Sequence, residues 1–357
     1  MMKDSNFNQQ KAEIFSESLV DVLNKSAIAL GLSIGHRCGL VAAMAKLAAS
    51  TSQQIADAAG LNERYVREWL GTMVTGRVVN YFPESKTYQL PAEHVAYLTD
   101  EGEFNLASSM QFIPLLGGVE DKLVNCFQNG GGVPYSEFPR FHEVMASESD
   151  QTTVAGLEPF ILPLVPGLEE KLELGIDVLD VGCGRGRAMI ALAKRFPKSV
   201  FSGYDFSEES IADARNEARS EGISNIRFEV RDAAAIGEVE AYDLITSFDA
   251  IHDQANPAGM LASIELALKP DGVYLIQDIT GSSHLEKNLD LPVAPYLYTI
   301  SYMHCMTVSL AYGGEGLGAM WGEEKCVEML NAAGFSNVEL HHLKHDFINT
   351  YYVAQKA

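Results

Sequence analysis

The chain has 357 residues, of which 47% are hydrophobic and 21% are charged, a composition that excludes extensive disorder and fits about two folded domains. It holds 26 Lys and Arg against 48 Asp and Glu, a formal net charge of -22, which repels nucleic acid and anionic lipid at long range. The five cysteines form no C-x-x-C pair. This excludes a disulfide framework and a cysteine zinc site and predicts a reducing, cytoplasmic location.

The N-terminal segment predicts neither a secretory leader nor a membrane span. The first ten residues are polar and lack the apolar core of a leader. The most apolar early stretch, residues 27–49, contains His36, Arg37 and Lys46. These side chains interrupt it too often for it to cross a bilayer, so no membrane partner is expected.

Residues 1–100 have the element order of a winged helix. Apolar positions recur at helical spacing in residues 15–32 and 40–49. Ser50 or Ser52 is expected to begin a helix that ends at Gly60, and Asn62 to begin the next one, through about residue 75. An alternating segment with a turn at residues 83–86 then predicts a hairpin. Helix, turn, helix and hairpin are the parts of a winged-helix domain.

A winged helix either binds DNA or serves as a scaffold for dimerisation. Residues 1–100 contain nine Lys and Arg and ten Asp and Glu, a net charge of about -1, whereas DNA-reading domains are clearly basic. Glu63 and Glu68 also lie on the helix that would read DNA. The charge therefore favours a dimerisation scaffold, and a homodimer is expected because the apolar helices of residues 15–49 would otherwise leave an apolar patch exposed.

Residues 101–170 are predicted to form a helical linker and lid. Gly130, Gly131 and Gly132 are followed by aromatic residues and are predicted to begin a mobile loop that leads into a helix. No Lys-Ser or Lys-Thr follows these glycines, which excludes a phosphate-binding P-loop. Prolines at positions 159, 163 and 166 break the chain before the next domain.

Residues 171–357 alternate between short apolar runs and helical segments. The runs IDVLDVG, VFSGYD, IRFEV, YDLITSF and GVYLIQD predict parallel strands, and SNVELHHL and NTYYVAQ predict two further strands after a helix near Cys326. This alternation predicts an α/β fold, a Rossmann-like doubly wound sheet with helices on both faces.

Polar residues follow four of these strands, at the edge where such a sheet binds its ligand. The first strand leads into Asp180-Val181-Gly182-Cys183-Gly184-Arg185-Gly186, which is D-x-G-x-G-x-G and not the dinucleotide fingerprint. Asp205 follows the second strand and can accept hydrogen bonds from ribose hydroxyls. Asp232 follows the third, and SFDAIHD the fourth.

Together these motifs resemble those of class I S-adenosylmethionine-dependent methyltransferases. The resemblance is to the bacterial subgroup with an N-terminal winged helix, including uncharacterised mycobacterial members. DVGCGRG, GYDFS, VRDAA and LKPDGVYLIQD carry it over residues 175–280, and ALGLSIGHRCGL and GGGVPYSEFPRFHEVM extend it towards the N-terminus. It implies a methyltransferase with S-adenosylmethionine as its cofactor.

The resemblance also implies a role for each cofactor-binding position. Gly182, Gly184 and Gly186 would pass the methionine part of the cofactor, and Asp180 would orient their loop. Asp205 would hold the ribose, with Phe206 against the adenine. Asp232 and Ala233 would read the adenine edge, and Phe248 would line the slot near the sulfonium. The alternative for Asp180 and Asp232 is that each only caps a helix or braces a loop.

His252 is the first candidate for the catalytic base. It follows the fourth strand, close to where the methyl group must lie, and an imidazole suits a thiol or phenol as acceptor. Asp249 or Asp253 could orient it or contact the acceptor. The alternative is that His252 only caps the next helix or binds the cofactor indirectly.

The acceptor pocket is expected from lid residues of both flanking segments. Tyr135 and His142 come from the linker, and Tyr298, Tyr302 and His304 from the Tyr- and Met-rich stretch after the fifth strand. Ordinary helix packing is the alternative for all of these residues. No metal site is predicted, since His341 and His342 are adjacent on a strand and face opposite ways.

These observations predict an enzyme that moves a methyl group to a sulfur or an oxygen of a small molecule. A small thiol, hydrosulfide and a phenolic hydroxyl remain open as acceptors. The strand-end sequence SFDAIHD is not a DPPY or NPPY tetrapeptide, which argues against amino-methylation of nucleic acids. The alternative is a cofactor-sensing transcriptional regulator with the winged helix on DNA.

Overall fold

The computed structural model describes residues 7–102 and 104–356, and the chain divides into one compact unit that ends at Pro114 and a second that begins at Leu115. The polar residues 1–6 at the start of the chain lie outside the described residues. In the first unit the elements are α1 Gln9–Arg37, α2 Leu40–Ala45, α3 Ser52–Ala59, α4 Glu63–Thr75, β1 Asn80–Phe82, β2 Thr87–Gln89, α5 Ala92–Leu98 and α6 Leu106–Ser109. Helix α7, Phe112–Gly117, spans the boundary. The predicted domain limits at residues 100 and 170 stay predictions.

The winged-helix order is present in the first unit. Strands β1 and β2 pair antiparallel across the predicted turn, and an isolated antiparallel bridge joins Ser50 to Tyr88. Asn62 begins α4, where its side chain accepts the N–H of Arg64. The cap of α3 was predicted wrongly, because Thr51 and Gln54 form a reciprocal capping box in place of Ser50 or Ser52.

Helix α1 is longer than the apolar spacing predicted. It begins after Asn8, whose side chain accepts the N–H of Lys11, and ends with His36 and Arg37, which suit the negative end of a helix. Its C-terminal part packs on α4 through Trp69. The indole N–H of Trp69 donates to the carbonyl of Gly31 at 2.7 Å, and a Cβ at Gly35 would lie 2.7 Å from the same ring.

The second unit begins with the helical segment predicted for the linker. Its helices are α8 Glu120–Asn129, α9 Phe141–Ser149 and α10 Leu168–Leu174. Between α9 and α10 lie two π-helical turns, Asp150–Val154 and Leu157–Ile161. A Cβ at Gly132 would lie 2.0 Å from the carbonyl oxygen of Thr307, so this glycine is required by a close backbone contact.

The sheet is the one that the sequence predicts. Its strands and the helices between them are β3 Asp177–Val181, α11 Arg187–Arg195, β4 Val200–Asp205, α12 Glu208–Ser220, β5 Ile226–Val230, β6 Tyr242–Phe248, α13 Pro257–Ala267, β7 Leu268–Ile279, α14 Ala294–Ile300, α15 Met306–Ala311, α16 Glu323–Ala332, β8 Phe335–His341 and β9 Asn349–Lys356. Within the described residues the strand order is β5-β4-β3-β6-β7-β9-β8, with β9 antiparallel to both of its neighbours.

Two apolar cores cover the two faces of this sheet. One contains Met189 of α11 and Ile211 of α12, and the other contains Leu261 of α13 and Leu330 of α16. Helices on both faces make the sheet doubly wound, which confirms the predicted fold class. The carboxyl ends of β3, β4, β5, β6 and β7 therefore meet at one edge, where a ligand can bind.

Candidate functional site

The loop after β3 is shaped by its glycines. Gly182, Gly184 and Gly186 have φ values of 78°, 51° and 71°, a region that residues with a Cβ rarely adopt. A Cβ at Gly182 would lie 2.4 Å from the Cβ of Ala250, and one at Gly186 would lie 2.4 Å from the ring of Phe228. Around Gly184 no described atom lies within 4 Å of such a Cβ. Ala250, just after β6, and Phe228 of β5 therefore pack against the two ends of the loop, whereas the space around Gly184 is free of described atoms.

Asp205 ties the end of β4 to this loop. Its carboxylate accepts the backbone N–H of Gly184 at 2.9 Å and that of Ser207 at 2.8 Å. Burial raises the pKa of Asp205, while these two N–H groups oppose the rise. Phe206, the next residue, is 45% exposed. A carboxylate and an accessible ring therefore stand side by side beyond the glycine loop.

The other predicted cofactor residues lie at the same sheet edge. Asp180 is buried and accepts a hydrogen bond from the Thr246 hydroxyl at 2.7 Å, and burial raises its pKa to about 7. Asp232 caps a short turn by accepting the N–H of Ala234 at 2.9 Å, while Ala233 is buried. Phe248 packs against the core on the α11 side.

His252 is held by a carboxylate on the neighbouring strand. The residue is 4% exposed, and its Nδ1 atom lies 2.7 Å from Oδ1 of Asp278 near the end of β7. The indole N–H of Trp321 donates to the same oxygen at 3.1 Å. Burial by itself lowers the pKa of His252, but the Asp278 carboxylate and the nearby Cys305 thiol outweigh it, and the pKa lies well above its ordinary value.

The structure corrects the expected partner of His252. Asp249 accepts a hydrogen bond from Nε2 of Gln277 at 2.8 Å, and Asp253 accepts one from the hydroxyl of Tyr135 at 2.6 Å. Neither carboxylate is bonded to the imidazole, because the chain turns sharply after β6, where Asp249 has a φ of 52°. Burial raises the pKa of both, to about 8 for Asp249.

An aromatic cluster surrounds Tyr135. Its ring stacks on His142 at 5.3 Å, approaches Phe206 at 5.5 Å and meets His304 edge-on at 5.0 Å. His304 stacks on Phe141 with 3.6 Å between ring centroids. Three of the five predicted acceptor residues, Tyr135, His142 and His304, are thus brought together next to Asp253.

His304 is a buried histidine with unsatisfied nitrogens. It is 1% exposed, and neither Nδ1 nor Nε2 has a hydrogen-bond partner among residues 7–102 and 104–356. Burial lowers its pKa well below the ordinary value, and the nearby His252 and His142 add to the effect. The ring is therefore neutral, with one donor and one acceptor unused.

Tyr298 and Tyr302 have other neighbours. The hydroxyl of Tyr298 accepts a hydrogen bond from Asn288 at 3.0 Å, and the ring of Tyr302 packs edge-on against Phe127 at 5.9 Å. Their described contacts do not join them to the cluster around Tyr135.

Sequence reasoning missed the residues that support the site from β7. Asp278, Gln277 and Trp321 were not singled out, although the polar pair that ends YLIQD stands in an otherwise apolar strand. A polar pair at the carboxyl end of a buried strand was the available signal.

Comparison with known proteins gives the same two-part organisation. Residues 26–100 match the family described as an Rv2258c-like winged HTH domain, and residues 172–334 match a methyltransferase domain. Trans-aconitate 2-methyltransferase of Acidovorax sp. (strain JS42) is 28% identical over 153 residues, which are 43% of this chain and 55% of that protein. The chain thus spans about half the length of that curated relative. Ubiquinone biosynthesis O-methyltransferase of Coxiella burnetii is 27% identical over 190 residues, 50% of this chain and 74% of that one.

Solved structures share the fold over nearly the whole chain. Mitomycin 7-O-methyltransferase MmcR has a TM-score of 0.72 and 17% identity, with 98% of this chain and 100% of that one covered. Human N-acetylserotonin methyltransferase, solved in complex with S-adenosylmethionine, has a TM-score of 0.71 and 16% identity, with 99% of both chains covered.

Proposed function

We propose that this chain, which belongs to the class I S-adenosylmethionine-dependent methyltransferases and carries an N-terminal winged-helix domain, transfers a methyl group to an oxygen atom of a small molecule. The observation that carries the proposal is the buried pair of His252 and Asp278 at the ends of β6 and β7. Such a pair would supply an oriented base at the edge of the sheet where the cofactor is expected.

The residues at this edge fit the cofactor. The glycine loop leaves backbone space at Gly184, where a Cβ would meet nothing within 4 Å in the described structure. Asp205 offers a carboxylate for the ribose hydroxyls and Phe206 an accessible ring for the adenine. S-adenosylmethionine, when bound, supplies an activated methyl group, so the protein itself must position the acceptor and remove its proton.

His252 is proposed to remove that proton. Because Nδ1 is engaged by Asp278, Nε2 is proposed to take the proton, and the Cys305 thiol is a second polar neighbour of the ring. The Asp278 carboxylate stabilises the imidazolium that forms when the proton is taken. A positioned base of this kind contributes about 10²–10⁴-fold to the rate.

This arrangement favours oxygen over sulfur as the acceptor atom. A phenol has a pKa of about 10 and a thiol about 8.5, so a hydroxyl depends more strongly on a base. The relatives named as O-methyltransferases support the same choice. Methylation of a small thiol or of hydrosulfide is therefore the alternative result in the methyl-transfer experiment described below.

The acceptor is proposed to lie against Tyr135, His142 and His304. Tyr135 contacts both other rings, and the buried His304 carries two nitrogens without partners that a polar acceptor would satisfy. Tyr298 and Tyr302 are secondary candidates, since their described contacts lie elsewhere.

The regulator alternative is not favoured. On α4, Arg64 pairs with Glu68 and Arg67 with Glu63, so both arginines are neutralised by their own helix. DNA binding depends on free cationic side chains that replace counterions on the phosphates. The net charge of about -1 in residues 1–100 also disfavours binding to phosphates.

A homodimer through α1 is part of the proposal. Apolar side chains that are more than half exposed follow this helix: Ile14, Phe15, Leu19, Val20, Val22, Leu23 and Ile34. By length and composition alone, α1 could also cross a membrane. Asp21 and Lys25 form an exposed ion pair within it, which is costly in hydrocarbon and favours a second copy of the chain as the partner.

The unpaired state of the cysteines is the argument for a cytoplasmic location, which we propose for this chain. All five are free thiols, and Cys305 and Cys326 are buried. Unpaired cysteines in these numbers suit a reducing compartment.

The test is methyl transfer with labelled S-adenosylmethionine and a panel of phenols, alcohols and small thiols. The expected product is a labelled ether, and His252→Ala should lower its rate about 10²–10⁴-fold. His342→Ala is the matched control, because its side chain is 62% exposed and pairs with Glu323 at the surface. Label only on thiols would contradict an oxygen acceptor, and no label on any acceptor would contradict the enzymatic proposal.

A further inference from the structure

Asp253 meets the aromatic cluster around Tyr135 with a carboxylate of which only one oxygen is used. Its Oδ2 atom accepts the hydroxyl of Tyr135 at 2.6 Å, and the side chain makes no other hydrogen bond within residues 7–102 and 104–356. The Oδ1 atom is not one of the buried polar atoms without a partner, so solvent, or a ligand that displaces it, reaches this oxygen. An oriented carboxylate with one open oxygen can accept a hydrogen bond from a ligand.

Aromatic rings line the approach to this carboxylate. The ring of Tyr135 stacks on His142 with 5.3 Å between their centroids, and the ring of Phe206 lies 5.5 Å from that of Tyr135. Burial lowers the pKa of His142 below its ordinary value, so its ring is neutral and does not repel a cation. Aromatic faces carry a negative potential that attracts cations. The rings and the carboxylate therefore favour the same kind of ligand group, a cation with an N–H donor.

The charges that face Asp253 leave the site negative. Burial raises the pKa of Asp253, while the imidazole of His252 and the hydroxyl of Tyr135 lower it. The carboxylates of Asp278 and Asp205 raise it further. Because His252 is paired with Asp278, these two charges offset each other. Asp205 and Asp253 remain, and together they exceed the single positive charge of a cofactor sulfonium.

Two arginines close to the cluster are already engaged by carboxylates. Arg185 lies near enough to His142 to lower its pKa, but it forms an ion pair with Asp213. Arg140, which precedes α9, pairs with Glu143 at 3.0 Å. An acceptor with a carboxylate would have to compete with these protein carboxylates for a cation. The net charge of -22 also repels anions and attracts cations at long range.

We propose that Asp253 selects acceptors that carry a protonated amine, which binds at its open Oδ1 atom beside the rings of Tyr135 and His142. The inference rests on the proposed function and deepens it, because it names the class of acceptor for the same site: a hydroxyl compound with an ammonium group. The ammonium stabilises the carboxylate form of Asp253 against the effect of burial. Asp253 is thus a specificity-determining residue, and His252 remains the base.

The experiment compares three phenols of similar size and different charge. They are 4-(2-aminoethyl)phenol, 4-(2-hydroxyethyl)phenol and 4-hydroxyphenylacetate, which carry an ammonium, a neutral hydroxyl and a carboxylate. Calorimetry measures their dissociation constants with the full chain saturated by S-adenosylhomocysteine, and methyl transfer from S-adenosylmethionine gives kcat/KM. The amine should bind about 10- to 100-fold more tightly than the neutral phenol, and the carboxylate should bind most weakly.

Asp253→Asn should remove the advantage of the amine and leave the binding of the neutral phenol unchanged. Asparagine keeps an oxygen that can accept the Tyr135 hydroxyl, so only the charge is lost. Glu328→Gln is the matched control, because it removes one negative charge from a side chain that is 69% exposed and pairs with Lys325. It should keep the full preference for the amine. The preference should also persist in about 0.5 M salt, which screens attraction by distant charges.

The outcomes separate this inference from the proposed function. If the protein does not bind S-adenosylhomocysteine, the proposed function fails. If it methylates phenols but the amine has no advantage, only the role of Asp253 is overturned. An advantage that survives Asp253→Asn, or the absence of binding by all three phenols to the loaded protein, overturns that role as well. The ranking of the three phenols by the wild-type protein gives an answer even if the variant does not fold.

Discussion

His252 and Asp278 are 26 residues apart in sequence, and their side chains lie 2.7 Å apart across the ends of β6 and β7. The strands are parallel neighbours, with Phe248 opposite Gln277 in their register. Asp278 is fully buried and also accepts the indole N–H of Trp321. The same oxygen also accepts the backbone N–H of Ile279 at 2.8 Å. A buried carboxylate fixed by these contacts holds the imidazole in a single orientation, which a proton-abstracting residue requires.

Asp278→Asn should change the pH dependence of methyl transfer. The neutral amide no longer stabilises the imidazolium, so the pKa of His252 falls from its raised value and the alkaline rise in rate moves to lower pH. The maximal rate should drop about 10²–10⁴-fold, because the imidazole loses its orientation. The measurement is kcat between about pH 5 and 10, with the surface variant Glu328→Gln as the control. An unchanged midpoint would contradict His252 as the base.

His304→Phe should make the protein more stable and a poorer binder of the acceptor. The phenyl ring keeps the stack on Phe141 and removes two nitrogens that are buried without partners. Each unsatisfied group costs about 1–3 kcal/mol, so removing both should raise the free energy of unfolding by about 2–6 kcal/mol. Meanwhile KM for the acceptor should rise roughly tenfold with the affinity for S-adenosylmethionine unchanged. Lower stability together with an unaltered KM would show that His304 only packs.

Gly186→Ala and Gly184→Ala should differ in stability. Both glycines are in the left-handed region, so each alanine costs about 1–3 kcal/mol of backbone strain. At Gly186 the new Cβ also meets the ring of Phe228 at 2.4 Å, while at Gly184 it meets nothing within 4 Å in the described structure. Chemical denaturation should therefore show a larger loss for Gly186→Ala. Equal losses would mean that Phe228 moves away without cost.

A double substitution on α1, Leu19→Glu with Leu23→Glu, should produce a monomer. Leu19 is 52% exposed and Leu23 is 70% exposed, and charges at these positions would have to be buried in a dimer at a cost of several kcal/mol. Light scattering at micromolar concentration measures the mass, and Gln53→Glu on α3 is the control. Co-flotation of the wild-type chain with lipid vesicles would point to a membrane as the partner of this helix.

The sequence alone was sufficient for the sheet and for the part of the site that belongs to single strand ends. Each strand of the sheet, the turn at Gly182 to Gly186, and Asp205 and Asp232 could be located, because alternation, glycine turns and acidic residues after a strand are local patterns. Parallel strands then bring these ends to one edge, whatever the details of packing. The lengths of α1 and α2 and the cap at Thr51 were less well predicted, since helix ends depend on which of several polar side chains reaches a free N–H group.

Only the tertiary structure decided which side chains pair. That His252 is held by Asp278 while Asp249 faces Gln277 depends on the strand order β6-β7 and on the direction in which the chain leaves β6. The unsatisfied nitrogens of His304 likewise result from the packing of the lid against Phe141 and Tyr135. Residue type and position can mark such residues as candidates, but they do not say which of them pair, because the contacts join positions far apart in the chain through packing that only the folded protein has.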